Sequence, residues 1–200
     1  MANTPCKVVV IEHLTLDGVY QAPARADEDT RNNFKHGGWS MAGADPQMQQ
    51  IIGKSMAGGW SLLAGRTTYE DLFEGWQVRQ PSHPMTQALT DVQKFVASQN
   101  PNYKHSWKNS ILLEGEATEA VAKLKKEHDK TLIVFGSGLL VHSLMQHGLV
   151  DEMILMIHPV VLGEGFRFFD QGTPFTRLKL QDKIITGTGV ILANYQCITG

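Results

Sequence analysis

The residues of this sequence best suited to chemistry sit in three short turns, each directly after an apolar run. Gly65-Arg66-Thr67-Thr68 follows Trp60 to Ala64, Ser98-Gln99-Asn100-Pro101 follows Val92 to Ala97, and Gly136-Ser137-Gly138 follows Thr131 to Phe135. The third turn runs at once into Leu139 and Leu140, where apolar residues begin to recur at helical spacing. A glycine turn at a helix N-terminus gathers unpaired backbone N–H groups at the positive end of the helix dipole, which favours an anion. Glycine at 136 and 138 lets backbone approach a pyrophosphate, Ser137 adds a hydroxyl, and Arg66 offers a planar cation suited to a phosphate monoester. Taken singly, each has a plainer reading: a helix-entry turn, a solvated charge, and in Thr67 a helix cap. Ligands of open α/β sheets bind beyond the carboxyl ends of the strands. If these strands are parallel, the three turns share one edge and together suit a phosphorylated dinucleotide.

Other residues carry weaker signals. Asp17, in the turn Thr15-Leu16-Asp17-Gly18, could donate a proton or anchor a substrate, although Asp before Gly is commonly a turn former. Trp39 could stack on a flat heterocycle or anchor its own loop on the core. His158, just before Pro159, ends a strand and could face a cleft. The eight histidines form no HExxH or comparable pattern, and Cys6 and Cys197 lie near opposite ends, so no metal is expected.

The elements that must hold these residues follow from local pattern. Lys7 to Leu14 is a β-branched strand. Gln21 to Gly43 reads as a long loop with a short helix near Arg31 to Phe34, and a loop of this length is usually functional or disordered. Asp45 and Pro46, as N-cap and first residue, start a helix running to Met56. Gly75 to Pro84 reads as loop, Ser110 to Leu113 as strand, and Glu116 to His128 as an amphipathic helix. The helix after Gly138 closes at Gly148, a C′ glycine. Met153 to Ile157 is a further strand. Arg177 to Leu180 and Gly189 to Tyr195 read as two closing antiparallel strands joined around 182–187. Strands alternating with helices predict an α/β fold, with a mostly parallel central sheet, an antiparallel C-terminal edge and helices on both faces. One domain over residues 1–200 is expected.

Composition narrows the function. The formal net charge is -2, with 18 basic and 20 acidic residues, which gives no whole-protein field for nucleic acid or an anionic membrane. No apolar run approaches the roughly 20 residues of a membrane span. The first six residues lack the basic start and apolar core of a signal peptide, so a cytoplasmic protein is expected.

The stretches VIEHLTLDGV (10–19), LAGRTTYE (63–70), ASQNP (97–101), and GSG, GLVDE and HP within 136–159 occur in an order that resembles the dihydrofolate-reductase-like fold. The chain is most similar to the C-terminal reductase domains of the bifunctional deaminase-reductases of riboflavin biosynthesis and their stand-alone homologues. Gly148 to Glu152, followed by Pro159 and Leu162 to Gly165, is the most specific part. The resemblance implies NADPH as cofactor, with Arg66 on its 2′-phosphate and Thr67 and Thr68 on its phosphates, next to Gly65. It places Ser98 and Gln99 at the adenosine end, Gly136, Ser137, Gly138, Leu139 and Leu140 at the pyrophosphate, and Leu16 to Gly18 near the nicotinamide and substrate. It also implies a homodimer through the late strands. Two positions depart from the pattern. The carboxylate that dihydrofolate reductases carry on the helix before the GR strand falls near Gln49. The glutamate that the riboflavin-pathway reductases carry before their glycine turn is replaced by Phe135, and no deaminase zinc module is present. The expectation is an NADPH-dependent reductase of a small pteridine- or pyrimidine-like heterocycle, akin to the 5-amino-6-(5-phosphoribosylamino)uracil reductases. The alternative is an NADP(H)-binding module without catalysis. Asp17 is the candidate proton donor, and Trp39, Gln49 and His158 are the candidate substrate residues.

Overall fold

The computed structural model describes residues 6–198. They fall into two compact units, 6–9 with 56–150, and 10–55 with 151–198. The architecture is mixed α/β with eight strands, mostly parallel, and an antiparallel C-terminal edge. Strand β1 (Val8–Thr15) is divided between the units.

In the first unit the strand order is β4 (Ser110–Leu112), β3 (Lys94–Ala97), β2 (Trp60–Gly65), β5 (Thr131–Phe135) and the start of β1. The ladders β2–β3, β2–β5 and β3–β4 are all parallel. Leu62, Leu63, Ala64, Val96, Ile133 and Val134 have no exposed surface, as continuous apolar runs predict for strands covered on both faces. Helices α2 (Arg66–Leu72), α3 (Pro84–Asp91), α4 (Ala117–Glu127) and α5 (Gly138–Gln146) connect them. Glu116 caps α4 by accepting from the N–H groups of Thr118 and Glu119. Residues 73–78, expected to be partly loop, continue α2 as a π-helical turn. They are held by the side chain of Thr86, which donates to the carbonyls of Trp76 and Gln80. Buried Lys94 donates to the carbonyls of Thr90 and Val92 and lies over the Trp107 ring, and burial lowers its pKa to about 8.

In the second unit the order is the rest of β1, then β6 (Glu152–His158), β8 (Ile191–Ile198) and β7 (Arg177–Ile185), with β6–β8 and β7–β8 antiparallel. β7 runs on to Ile185, past the Leu180 its sequence pattern indicated, and β8 is shifted to Ile191–Ile198 from the expected Gly189 to Tyr195, because the hairpin turn lies at 186–190, where Gly189 takes a φ of +82°. Helix α1 (Met48–Met56) starts two residues after Pro46. Asp45 still caps its entry, accepting from the N–H of Gln47 with one oxygen and that of Gly187 with the other. The long loop is ordered around Gln21, which is buried. Its side-chain amide donates to the carbonyls of Asp29 and Arg31 and accepts from the N–H of Phe166, while its own carbonyl accepts from the Trp39 indole at 2.8 Å. The helix expected near Arg31 to Phe34 is only a turn, because Asn32 and Asn33 adopt left-handed backbone. Among the described residues no helix is long and apolar enough to cross a membrane.

Candidate functional site

The three strand-end turns of the first unit are neighbours. Register pairs Gly65 with Ala97 across β2–β3, and β5 lies parallel on the other side of β2. The turn residues 65–68, 98–99 and 136–140 therefore line the carboxyl ends of adjacent parallel strands. Gly136 and Ser137 both have positive φ, and this consecutive left-handed pair swings the chain from β5 into α5. Ser137 occupies the N-cap position, yet its hydroxyl caps no N–H of α5. It accepts the N–H of Gly65 instead, at 3.0 Å. The first-turn N–H groups of α5 at Gly138, Leu139 and Leu140, which have no intrahelical partner, are thus left open to a ligand anion. Leu140 is buried and Leu139 is 76% exposed, so the backbone of these two residues is what they could offer there.

Arg66 is exposed and pairs with Glu70 one helical turn on, at 2.9 Å. Such an exposed pair stabilises by only about 0.3–0.5 kcal/mol, so a phosphate could recruit the guanidinium at little cost. Thr67 is exposed and Thr68 half-buried beside it. The Ser98 hydroxyl accepts the N–H of Asn100, shaping the turn in which Gln99 is exposed. A Cβ at Gly65 would meet only the Ser137 hydroxyl, at 3.7 Å. Open N–H donors, a left-handed glycine turn and an available guanidinium fit a phosphorylated dinucleotide.

The second unit holds a different group. His13 Nδ1 and His158 Nε2 are 2.8 Å apart, and the rings of Trp39 and His158 meet at right angles with centroids 5.3 Å apart. Two of the residues singled out from sequence, Trp39 and His158, are therefore together. Trp39 also packs on the Val19, Ala22 and Phe34 cluster, so anchoring the loop is part of its work. Gly43 is fitted against the same imidazole, since a Cβ there would lie 2.5 Å from His158 Nδ1. Burial, and for His13 also its neighbour His158, lowers the pKa of both rings, leaving the pair neutral near neutral pH. His13 escaped notice because its partner lies 145 residues away. The available signal was Glu12-His13, two titratable residues in the otherwise apolar strand Val8 to Leu14.

Glu12 has no partner for Oε2 among the described residues, and Oε1 accepts only the N–H of His13. Burial pushes its pKa well up, the His13 N–H partly opposes this, and Glu28 adds to it. Side chains alternate along a strand, so Glu12 faces away from His13 and its imidazole partner.

Asp17 does not fit the role of proton donor. Its carboxylate accepts from the Thr15 hydroxyl at 2.6 Å and from the N–H groups of Leu162 and Gly163, and Arg167 reaches both its carbonyl and its carboxylate. Burial opposes ionisation, but the Thr15, Gly163 and Leu162 bonds outweigh it and hold the pKa at about 2. At neutral pH the group has no proton to give, and its work is to tie the β1 turn to 162–163. Leu16 is exposed beside it, and Gly18 takes the φ of +80° that closes the turn. Gln49 is exposed on α1, and the structure does not gather it with Trp39 and His158.

The sequence model of the RibD C-terminal domain matches residues 6–192. The Bacillus subtilis protein YyaP is 34% identical over 140 residues, covering 68% of this chain and 72% of its own. A pyrimidine reductase-like protein from Corynebacterium diphtheriae superposes with a TM-score of 0.67 at 14% identity, over 99% of this chain and 94% of that one. Dihydrofolate reductase from Enterococcus faecalis, in complex with NADP(H) and RAB-propyl, gives 0.58 at 12% identity, over 96% and 97% of the two chains. These structural likenesses show the dihydrofolate-reductase-like fold.

Proposed function

The chain belongs to the RibD C-terminal domain family, and from that premise we propose that it is an NADPH-dependent reductase of a small pteridine- or pyrimidine-like heterocycle. The observation that carries the reading is the open first turn of α5, left uncapped because Ser137 turns to Gly65, beside Arg66 at the end of the adjacent parallel strand. In this reading the N–H groups of 138–140 hold the pyrophosphate and Arg66 holds the 2′-phosphate. Thr67 and Thr68 flank the phosphates, and Ser98 with Gln99 borders the adenosine. The bound cofactor supplies the hydride. His13, His158 and Trp39 give the second unit a neutral hydrogen-bonding and aromatic surface, and the proton that accompanies the hydride comes from water, because Asp17 is held ionised. Two copies pair through β7 and β8, whose Leu178, Leu180, Ile185 and Ile191 are exposed.

The test is thermal stabilisation by NADPH and by NADH, in the wild type and Arg66→Ala, followed by NADPH oxidation over a panel of pteridines and pyrimidines. Arg66→Ala should weaken NADPH at least tenfold while leaving NADH nearly unchanged. Equal loss for both cofactors would remove the 2′-phosphate assignment. Stabilisation without oxidation of NADPH over any heterocycle would leave a binding module.

A further inference from the structure

Arg66 is not alone in facing Glu70. From the loop after β3, in the same unit, the hydroxyl of Tyr103 is directed at the same carboxylate. The loop holds it there by local bonds. The carbonyl of Asn100 accepts the N–H of Tyr103 at 3.1 Å, and its side chain accepts the N–H of Asn102 at 3.0 Å. The ring of Tyr103 meets that of Tyr69 at 86°, with centroids 6.2 Å apart. Tyr69 is a fixed support: it has no exposed surface, and its hydroxyl accepts the N–H of Trp107 at 2.8 Å and bonds to Ser110 Oγ at 3.0 Å. Burial first, and then the charge of Glu70, pushes the pKa of Tyr103 up to about 12, so at neutral pH the phenol keeps its proton as a donor. Glu70 therefore gathers two donors on one exposed carboxylate, with Arg66 Nη1 at 2.9 and 3.2 Å from its two oxygens.

We propose that Tyr103 is a specificity-determining residue for the cofactor, and that its hydroxyl joins Arg66 on the 2′-phosphate of NADPH when that group takes the place of the Glu70 carboxylate. This rests on the cofactor reading above and adds a second donor to it. A phosphate monoester brings more than one negative charge and three strong acceptor oxygens, so it satisfies a guanidinium and a phenol together and leaves an oxygen for solvent. The 2′-hydroxyl of NADH brings one uncharged oxygen. It gives neither donor a better acceptor than the carboxylate they already hold, so Glu70 keeps both. Selection then comes from the exchange of one anion for another between two donors that are already in place. A tyrosine that only tied its loop to α2 would act on the two cofactors alike.

The test is calorimetric titration of the full chain with NADPH and with NADH, in the wild type, Tyr103→Phe and Arg66→Ala. Tyr103→Phe keeps the ring on Tyr69 and removes only the hydroxyl. It should weaken NADPH about fivefold, the scale of one hydrogen bond to a charged acceptor less the Glu70 contact given up, and leave NADH unchanged. A second measurement needs no variant to fold. In wild-type protein labelled with 13C at tyrosine Cζ and assigned through the backbone, the Tyr103 signal should differ between the NADPH and NADH complexes, which differ only in the 2′-phosphate. Equal weakening of both cofactors by Tyr103→Phe would overturn the proposal, as would unchanged NADPH binding or one Tyr103 signal common to the two complexes. Any of these, with Arg66→Ala still weakening NADPH alone, would sink this inference and leave the cofactor reading standing. Absence of NADPH binding, or equal loss of both cofactors in Arg66→Ala, would remove the reading on which it rests.

Discussion

The N–H of Gly65 is held by the hydroxyl of Ser137 at 3.0 Å, so the turn after β2 and the turn after β5 are one unit. Ser137 meets this contact from left-handed backbone, φ 61° and ψ 46°, which costs a non-glycine residue of order 1 kcal/mol or more. The serine does two things at once: it fixes the distance between the turns, and by being occupied it leaves the α5 N-terminus without a cap.

Two substitutions separate these effects. Ser137→Ala loses the hydrogen bond and keeps the backbone strain, while Ser137→Gly loses the bond but relieves the strain. We expect Ser137→Ala to destabilise by about 1–2 kcal/mol and Ser137→Gly by about 1 kcal/mol less than that. Urea denaturation checks the order. Equal stabilities would mean the left-handed conformation costs nothing here.

Glu70 competes with any phosphate for Arg66. Glu70→Gln should therefore tighten NADPH binding by about twofold, the equivalent of the 0.3–0.5 kcal/mol of an exposed i,i+4 pair. The gain should fade as salt is raised and should be absent for NADH. Calorimetry at two ionic strengths decides it.

What could be read from the sequence was local, and what could not was held by distant partners. The apolar runs of β2, β3 and β5, with glycine or serine at or just past the end of each, carried the parallel strands and their turns, because buried strands and helix entries are written within a few residues. The role of Asp17 was not legible. Besides the nearby Thr15 hydroxyl, the N–H groups of Leu162 and Gly163, far along the chain, hold it, and together they turn a plausible acid into a fixed carboxylate. The position of Gln49 was obtained by counting back along the chain, which cannot tell which face of α1 is exposed. Helix α3 was not read at all, although Pro at its first position was a local signal, and the loop-like composition of 75–84 hid both it and the π-helical turn.

Gly43→Ala tests how tightly the imidazole pair is fitted. A Cβ 2.5 Å from His158 Nδ1 and 2.8 Å from a Val190 methyl carbon cannot be placed without moving the ring. The variant should lose about 1–3 kcal/mol of stability, as overpacked sites do, and should break the contact with His13. Thermal unfolding measures the first, and separation of the two histidine 15N signals from their wild-type positions measures the second.

Glu12 and the imidazole pair should shape stability from opposite ends of the pH scale. The pKa of Glu12 is raised on folding, so its contribution is fully present below the unfolded value of 4.5 and is lost as pH rises toward the folded one. His13 and His158 are lowered, so theirs is present above 6.5 and is lost as pH falls below it. A tenfold change in one group's proton affinity between the unfolded and folded chain corresponds to about 1.4 kcal/mol. Glu12→Gln, which keeps the shape and cannot ionise, should be more stable than the wild type at alkaline pH, with the gap closing toward pH 4.5. His158→Gln should flatten the acid side and leave the alkaline side as it was. Denaturation curves across the pH range read both limbs together. A wild type whose alkaline limb matches that of Glu12→Gln would show that the carboxyl finds a partner when it ionises, and that its burial is not what the folded chain holds against it.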